Sequence, residues 1–344
     1  MKPKITIQAI ALAAGVSTAT VDRVLNSRLP VREGTALRVI EAAEQLGYHA
    51  VHVMRQRLPQ RTGWYTLGFC LQKSQSPFYQ AMAAALREAA QQTSSARCTL
   101  HVAFMDSFEP GAIAEQVVAM GQRCDAVAAV AVDHPHVSAA VEQLHDQGKP
   151  LLALLSDLSA EHRRGYVGVD NHKRGRTAAW AIHRLSRRAG KVAVLVGSHR
   201  YLGQEVNEMA FRSALREKAE PLDVLDARIN LEDDEVTYEV TLDLLARHPD
   251  LVGIYSIAGS VKGVVRALTE AGRAGQVVVV CHELTPDHRR ALVNGAVDLV
   301  IRTPLALFAQ TAIQTLLRSL QTEAPPAFGQ PFVLPFELCT SENV

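Results

Sequence analysis

The chain has 344 residues, of which 48% are hydrophobic and 21% are charged, and its formal net charge is +1. This composition is typical of a globular protein, and the length exceeds one average domain. The sequence shows no run of about eighteen apolar residues and no charged-then-apolar leader, so we expect neither a membrane span nor secretion. Its five cysteines lack CxxC spacing, which favours a reducing cytoplasm and indicates neither a disulfide framework nor a zinc site.

Basic residues are concentrated at the start of the chain. Residues 1 to 62 contain nine lysines or arginines against four acidic residues, which leaves a net charge of −4 for the remainder. A basic head on a mildly acidic body fits a polyanionic partner at one end only. A solvated surface is the commoner cause of a modest excess, so the charge supports a nucleic-acid partner without proving one.

Residues 6 to 26 are predicted to form two short helices joined by a tight turn. Thr6 is placed as the N-cap of the first helix, and Gly15 supplies the left-handed residue that ends it. Ser17 is placed as the N-cap of a second helix that starts at Thr18 and buries its apolar residues, which are Val21, Val24 and Leu25. The outward face of this second helix is short and polar. That pattern fits a helix-turn-helix that reads the DNA major groove, although an ordinary helical hairpin has the same local pattern.

A third helix is predicted from about Glu33 to Leu46, with Gly47 as its stop. Read together, the segment AGVSTATVDRVLN and the later LGY at 46 to 48 resemble the N-terminal headpiece of the lactose-repressor (LacI) family. The resemblance implies a DNA-binding regulator, a repressor, whose dimer or tetramer places two headpieces on a palindromic double-stranded DNA operator. This chain departs from the family at Asp22, where relatives usually carry serine, and at Arg32, which stands in place of a capping residue.

The headpiece offers two kinds of DNA-contacting residue. Thr18 and Ala19 are expected to contact base edges, since a hydroxyl bonds to either base and an alanine touches a thymine methyl group, and Arg23 is the best candidate for guanine. Other side chains are expected to contact phosphates and carry little sequence information; these are Gln8, Ser17, Thr20, Asn26, Arg32 and Thr35.

Residues 48 to 63 are predicted to form a linker. The resemblance to the LacI family implies that this stretch forms a hinge helix in the minor groove of DNA, where a leucine wedges open a base step. Here Arg57 stands at the wedge position and Leu58 follows one residue late. Three interpretations stay open: Leu58 acts as the wedge through a shifted helix, Arg57 lies in a narrow groove, or the stretch is a basic tether.

From Leu67 onward, short apolar runs alternate with helical stretches, a pattern that predicts βαβ units with parallel sheets. The first four runs are expected to form one sheet and the next four another, joined near 166 to 171. This pattern predicts the fold class α/β. The resemblance to the LacI family, which extends nearly to the end of the chain, implies an N-terminal all-α helix-turn-helix headpiece followed by a two-lobed periplasmic-binding-protein-like α/β domain with parallel sheets. The predicted domains are a headpiece at 1–47, a hinge or linker at 48–63, and an effector-binding and dimerisation domain at 64–344.

Ligands of open parallel sheets bind beyond the carboxyl ends of the strands. The residues that follow the apolar runs are thus the effector-binding candidates, and they are Phe78, Tyr79, Asp133, Glu205, Ser256, Glu283 and Arg302. The resemblance implies a sugar, polyol or sugar acid, with aromatic rings stacked on the sugar. An arginine at 302 favours a carboxylate or phosphate, whereas its pairing with Glu283 would favour a neutral ligand.

Motifs typical of enzymes are missing from the sequence. It contains no GxGxxG, no GxxxxGK[ST] and no GxSxG, so we predict that the protein is not an enzyme and uses no cofactor or metal. Motifs, charge and resemblance together predict a cytoplasmic, effector-responsive transcriptional regulator. The alternative is a cytoplasmic sugar-binding sensor with degenerate DNA recognition, which the carboxylate of Asp22 on the recognition helix would explain.

Overall fold

A computed structural model of the chain describes residues 6–26, 31, 33–46, 48, 63–94, 96–218, 222–259, 261–321 and 331–344. The chain divides into two compact units, one made of Met1–Gly63 with Ser94–Arg97 and the other of Trp64–Thr93 with Cys98–Val344. Arg32, Arg57 and Leu58 lie outside the described residues, as does most of the predicted linker. Among the helices that are described, none is long and apolar enough to cross a membrane.

Three helices are described in the N-terminal unit, namely α1 (Ile7–Ala14), α2 (Thr18–Asn26) and α3 (Glu33–Gln45). Their core is a cluster of small and branched apolar residues, which comprises Ile10, Ala11, Ala14, Val21, Val39, Ile40, Ala42 and Ala43. The apolar spacing predicts that Leu46 closes the buried stripe of α3, but the helix ends one residue earlier and this side chain is 39% exposed.

The turn between α1 and α2 follows the predicted capping pattern. Thr6 Oγ1 accepts a hydrogen bond from the Ala9 amide at 3.2 Å, and Ser17 Oγ accepts one from the Thr20 amide at 3.2 Å. Gly15 adopts φ 62°, a left-handed conformation that glycine reaches without a Cβ penalty. Local sequence therefore determines how α2 leaves the turn.

The larger unit is built from two lobes, each with its own sheet. The first lobe begins with eight elements, which are β1 (Trp64–Gln72), α4 (Pro77–Gln92), β2 (Arg97–Met105), α5 (Pro110–Arg123), β3 (Ala126–Ala129), α6 (Pro135–Asp146), β4 (Leu151–Leu154) and β5 (Tyr166–Val169). The second lobe follows with α7 (Asn171–Leu185), β6 (Lys191–Val196), α8 (Leu202–Arg216), β7 (Asp223–Val224), β8 (Arg228–Ile229), α9 (Asp234–Arg247), β9 (Leu251–Ser256), α10 (Lys262–Glu270), β10 (Val278–His282), α11 (Pro286–Val293) and β11 (Leu299–Arg302). Three elements complete the chain, namely α12 (Leu305–Gln321), β12 (Pro331–Leu334) and β13 (Glu337–Cys339).

Both sheets are predominantly parallel, as predicted. The first has the strand order β12-β5-β4-β3-β1-β2, and the second has the order β13-β11-β10-β9-β6-β7, with β8 also paired to β6. Strands β3, β4 and β9 are buried along their whole length, because helices cover both faces of the sheets. This explains why these strands read as continuous apolar runs.

Over the residues that the structure describes, the chain passes between the lobes three times. The predicted crossing follows β5, where Asp170 caps α7 by accepting from the Lys173 amide. Two further crossings follow β11 and β12, because α12 packs on α4 and β3 in the first lobe while β13 pairs antiparallel with β11 in the second. The order of apolar runs predicts only the first crossing.

Candidate functional site

The outward face of α2 carries the residues predicted to read DNA. Thr18, Ala19 and Arg23 are exposed, whereas Thr20 is half-buried and shares a 2.9 Å hydrogen bond with the hydroxyl of Ser17. Ser17 and Thr20 thus hold the start of the helix while the three exposed positions remain free of the core. The structure brings the predicted base-reading residues together on one accessible surface.

The remaining headpiece candidates are more scattered. Gln8 is exposed on α1, and Thr35 is half-buried on α3. Asn26 is the last residue of α2. Asp22, on α2, is half-buried beside Arg23, so a carboxylate does lie next to the predicted recognition surface.

The larger unit contains a cavity of about 550 Å³ between its lobes. Its wall includes residues that follow strands within two positions, such as Lys73 after β1, Ser156 after β4, Ile257 after β9 and Glu283 after β10. This is where ligands bind in parallel α/β sheets. The cavity therefore lies at the edge that the order of the strands predicts.

Three of the seven effector candidates line this cavity, namely Phe78, Tyr79 and Glu283. Phe78 and Tyr79 open α4 after Pro77, and their rings meet edge to face with centroids 5.1 Å apart. Tyr79 is buried, while Phe78 keeps part of its surface open. The segment after β1 therefore supplies two aromatic rings to the cavity wall, and their stacking on a ligand stays a prediction.

The other four candidates do not line the cavity. Asp133 accepts hydrogen bonds from the amide and hydroxyl of Ser159 at 2.8 and 2.9 Å, so its carboxylate holds a loop. Glu205 is exposed on α8, and the neighbouring Gln204 faces the cavity instead. In an α-helix consecutive side chains point about 100° apart, and one position decides which of them reaches a ligand.

Ser256 and Arg302 are also displaced from the cavity. Ser256 is the last residue of β9, 2% exposed, and its hydroxyl donates to the Ala258 carbonyl at 3.4 Å. Arg302 Nε donates to Glu337 Oε2 at 2.5 Å, in a shallow depression outside the cleft. The antiparallel pairing of β13 with β11 places this carboxylate beside Arg302, so the suggested pairing of Arg302 with Glu283 is wrong.

Arg174 instead pairs with Glu283 beneath the cavity. Its Nη1 lies 3.0 Å from Glu283 Oε1, and the side chains of Arg174 and Glu283 are only 9% and 16% exposed. Glu283 also accepts from the amide and hydroxyl of Thr303, both at 2.8 Å. Arg174 Nη2 donates to Asn171 Oδ1 at 3.0 Å. This network ties the first interlobe crossing to the second. Arg174 is absent from the sequence-based candidates, although it follows the Asp170-Asn171 cap by one helical turn.

Direct hydrogen bonds join the two lobes around the cavity. The Lys73 amine of the first lobe donates to the carbonyls of Leu231 and Glu232 in the second, at 2.6 and 3.3 Å. Below it, the Gly203 amide donates to the Ser156 hydroxyl at 3.0 Å. The lobes are therefore closed on each other in this structure.

A carboxyl group and two phenols meet inside the closed cleft. Burial raises the pKa of Tyr79 well above its usual value, and the nearby Glu232 raises it further. The pKa of Tyr201 is raised by the same two causes. Burial also raises the pKa of Glu232, opposed by the Lys73 charge and by a hydrogen bond from Gln204. These groups are close enough to act on one ligand.

Two buried histidines, His282 and His288, also line the cavity. His282 Nε2 lies 2.8 Å from the Tyr255 hydroxyl, and burial followed by repulsion from Arg174 lowers the pKa of His282 well below its usual value. Burial lowers the pKa of His288 to about 4, against a weaker opposite effect from Asp287. Both imidazoles are therefore neutral at physiological pH and offer hydrogen bonds rather than charge.

Strained backbone is concentrated at this cleft. Five non-glycine residues among those described adopt positive φ, and four of them, Lys73, Leu155, Glu232 and Glu283, line the cavity; the fifth is Leu231. Such conformations cost about 1–3 kcal/mol each and collect at ligand sites. Independently of the charged side chains in the cleft, this backbone strain supports a binding role for it.

Two family models match this chain. Residues 6–50 match the bacterial regulatory proteins of the lacI family. Residues 67–324 match the periplasmic binding protein domain. The second match alone extends over more than half of the chain.

Two curated relatives are similar to a limited segment of the chain. GalR, an HTH-type transcriptional regulator of Salmonella typhimurium (strain SL1344), is 39% identical over 88 residues, which is 26% of this chain and 25% of that protein. RegA, an HTH-type transcriptional regulator of Clostridium saccharobutylicum, is 42% identical over 74 residues, which is 22% of each chain. The chain thus matches a quarter or less of the length of these relatives.

Solved structures share the fold of the larger unit. An ABC transporter solute-binding protein from Agrobacterium vitis, bound with alpha-D-tagatopyranose, has a TM-score of 0.73 at 19% identity, covering 81% of this chain and 95% of its own. GanP, a glucose-galactose binding protein from Geobacillus stearothermophilus, has a TM-score of 0.72 at 15% identity, covering 81% and 98%. At these identities the likeness establishes the architecture alone.

Proposed function

Because the chain belongs to the periplasmic binding protein domain family and its residues 6–50 match the lacI family of bacterial regulatory proteins, we propose that it is an effector-responsive transcriptional repressor. The observation that carries the proposal is the exposed polar face of α2 in the same chain as a two-lobed cleft. DNA binding and effector binding then belong to one regulator, which acts in the cytoplasm and is not an enzyme.

The proposed organisation has a headpiece at 1–47, a linker at 48–63 and an effector-binding domain at 64–344. The division into two compact units near Gly63 supports the boundary between the linker and the effector-binding domain. Effector binding in the cleft alters the affinity of the headpiece by a coupling free energy of roughly 1–3 kcal/mol. The direction of that change distinguishes induction from co-repression.

On DNA, we propose that α2 enters the major groove. Thr18 and Ala19 read base edges and Arg23 binds guanine, while Gln8 and Ser17 help to position the helix on phosphates. The exposure of Thr18, Ala19 and Arg23 on one face supports these roles. The net charge of +5 over residues 1 to 62 adds a favourable field toward DNA.

The proposed assembly is a homodimer, or a tetramer made of two such dimers, on a palindromic operator. Two-fold protein symmetry then matches two-fold operator symmetry. Exposed apolar side chains on the packed helices α7 and α8 support an interface there, with Trp180 at 52% and Met209 at 57% exposure. Sedimentation velocity is expected to give the mass of a dimer or tetramer, and Trp180→Asp is expected to dissociate it.

The test of DNA binding is a gel shift with the DNA upstream of the gene for this protein. We expect the protein to retard this DNA at low salt. Its affinity for the DNA is expected to fall by several orders of magnitude between about 50 and 200 mM salt, because phosphate contacts release counterions. Thr18→Glu, which places a carboxylate on the exposed first turn of α2, is expected to abolish the shift. Retardation that is absent at low salt, or that is independent of residue 18, contradicts the proposal.

The alternative is a sugar-binding sensor with degenerate DNA recognition. Asp22 on α2 is the observation that favours it, since a carboxylate beside Arg23 weakens attraction to phosphates. Under this alternative, ligands stabilise the protein in thermal-shift measurements, but no upstream DNA is retarded at any salt concentration. Asp22→Ser then restores retardation if the carboxylate is the cause.

A further inference from the structure

The interlobe cavity contains buried polar atoms that have no hydrogen-bond partner within the described part of the chain. Arg174 Nε and the Tyr201 hydroxyl can donate, and Asp234 Oδ1 accepts. One nitrogen on each of His282 and His288 is also unpartnered, and all five residues line the cavity. Unpartnered buried polar atoms cost free energy. These atoms have almost no accessible surface themselves, so they mark a polar and incompletely satisfied wall behind the cavity.

The cationic side chains that line the cavity are already engaged within the protein. Arg174 Nη1 lies 3.0 Å from Glu283, and Lys262 Nζ lies 3.0 Å from Asp287. Lys73 Nζ donates to two main-chain carbonyls at 2.6 and 3.3 Å. Arg174 and Lys262 are thus already paired with carboxylates, and an anion that displaced Glu283 from Arg174 would leave a buried carboxylate without its cation, which is strongly destabilising.

Glu232 places a carboxyl group at the centre of this wall. Its Oε1 accepts one long hydrogen bond, 3.4 Å, from Gln204 Nε2. The orientation of that amide is set by the Gly197 amide, which donates to Gln204 Oε1 at 2.8 Å. A Cβ on Gly197 would lie 2.8 Å from Glu232 Oε1, so glycine is needed to leave room for the carboxyl group. The side chain of Glu232 is thus held in place but largely unsatisfied.

The backbone of Glu232 is held from both lobes. Leu231 and Glu232 adopt φ 54° and 52°, and the Glu232 amide donates to Asn230 Oδ1 at 2.9 Å. The carbonyls of both strained residues accept from Lys73 of the opposite lobe. Closure of the lobes therefore fixes this turn, and with it the position of the carboxyl group.

We propose that Glu232 is the specificity-determining residue of the cleft, which accepts hydrogen bonds from the hydroxyls of an uncharged polyhydroxyl ligand and repels sugar acids and sugar phosphates. The inference rests on the proposed effector role of the cleft. A hydroxyl can donate to the carboxyl group of Glu232, whereas the carboxylate of an aldonate or the phosphate of a sugar phosphate only accepts and is repelled by a carboxylate at that position. The sugar-acid option depended on Arg302, which lies outside the cavity.

The test uses the full chain and matched sets of probes. Each set contains an aldose, its alditol, its aldonate and its 6-phosphate, built on glucose, galactose, mannose and, with a 5-phosphate, ribose. Thermal-shift measurements identify the binding set, and titration calorimetry at pH 7.5 measures each member of it. We expect an uncharged member to bind at least 100-fold more tightly than the aldonate or phosphate of the same set.

Two variants assign this selectivity to Glu232. Glu232→Gln keeps the size of the side chain but removes the charge. We expect it to weaken binding of the uncharged probe at least tenfold, and to reduce the ratio of affinities for the uncharged probe and the anion at least tenfold. Glu239→Gln, exposed on the outer part of α9, is the matched control and is expected to change neither value by more than twofold. Circular dichroism and the melting temperature of each variant establish that it folds.

Three results would overturn the inference. One is an aldonate or phosphate that binds as tightly as its uncharged partner, another is a folded Glu232→Gln protein with undiminished selectivity, and the third is the absence of binding by every uncharged probe. The gel shift described above is independent of all three. A protein that retards operator DNA but prefers an anion contradicts this inference alone, whereas a protein that selects uncharged probes without binding DNA contradicts the proposed function alone.

Discussion

Glu283→Gln is expected to destabilise the larger unit more than any surface substitution of the same kind. Glu283 and Arg174 are only 16% and 9% exposed in their side chains, and their closest nitrogen and oxygen atoms are 3.0 Å apart. The substitution leaves the Arg174 charge buried without a counter-ion. It also turns an amide group toward Thr303, whose amide and hydroxyl donate to the native carboxylate at 2.8 Å.

The expected loss is about 3–5 kcal/mol in the free energy of unfolding, the usual cost of removing one partner of a buried ion pair. Urea unfolding followed by far-UV circular dichroism measures it, with the transition of the larger unit fitted separately from that of the headpiece. The matched control is Glu217→Gln. Glu217 forms two hydrogen bonds with Arg176 at 2.8 and 2.7 Å, but this pair is 51% and 39% exposed, so solvent screens it and little change is expected. Equal losses in the two variants would refute the argument from burial.

Three further changes test the headpiece and the cleft. Arg23→Ala is expected to cost about 1–3 kcal/mol of operator binding and to relax specificity at one base pair, measured by gel shifts on a set of single-base operator variants. Gly15→Val forces a branched side chain into φ 62° and is expected to destabilise the headpiece by about 1–2 kcal/mol, measured by thermal unfolding. Burial holds the pKa of His288 at about 4 in the folded protein, below about 6.5 in the unfolded chain. The unfolded state then binds the extra proton, so His288 contributes stability fully above pH 6.5 and loses up to about 3 kcal/mol as the pH falls to 4, and His288→Asn is expected to flatten this part of the stability profile.

Each of these changes has a control. Arg38→Ala removes an exposed positive charge from α3. If this variant loses as much base specificity as Arg23→Ala, then Arg23 contacts the phosphate backbone rather than a base. Ala13→Val adds the same bulk at an exposed helical position, and an equal loss would show that the left-handed φ is not the cause. His172 lies on the surface of α7, so His172→Asn is expected to leave the loss of stability between pH 6.5 and 4 unchanged. A smaller loss in that variant would contradict the role of His288.

Local patterns predict the elements whose causes are local. The N-caps Thr6 and Ser17 and the left-handed Gly15 depend on neighbours within three residues, so the adjacent sequence is enough to infer their roles. The buried strands can be inferred for the same reason, because apolar runs between helical stretches need no knowledge of distant contacts. Phe78 and Tyr79 line the cavity as predicted, since they follow closely after β1.

The rest of the cleft depends on contacts between residues far apart in sequence. Arg302 has the right chemistry for a ligand, but β13 returns antiparallel beside β11 and places Glu337 next to it. Arg174 escapes prediction because its partner Glu283 is 109 residues away. Neither pairing leaves a trace in local sequence.

Periodicity, capping and strand order are enough to predict the helix-turn-helix, the two parallel sheets and the edge at which the cavity lies, because these properties are local or repetitive. Which charges remain available in the cleft depends on how the lobes pack. Lys73 reaches the turn at Leu231 and Glu232 across about 160 residues of chain when the lobes close, and that contact holds Glu232 at the cavity wall. Side-chain chemistry nominates residues for a site, and long-range packing selects among them.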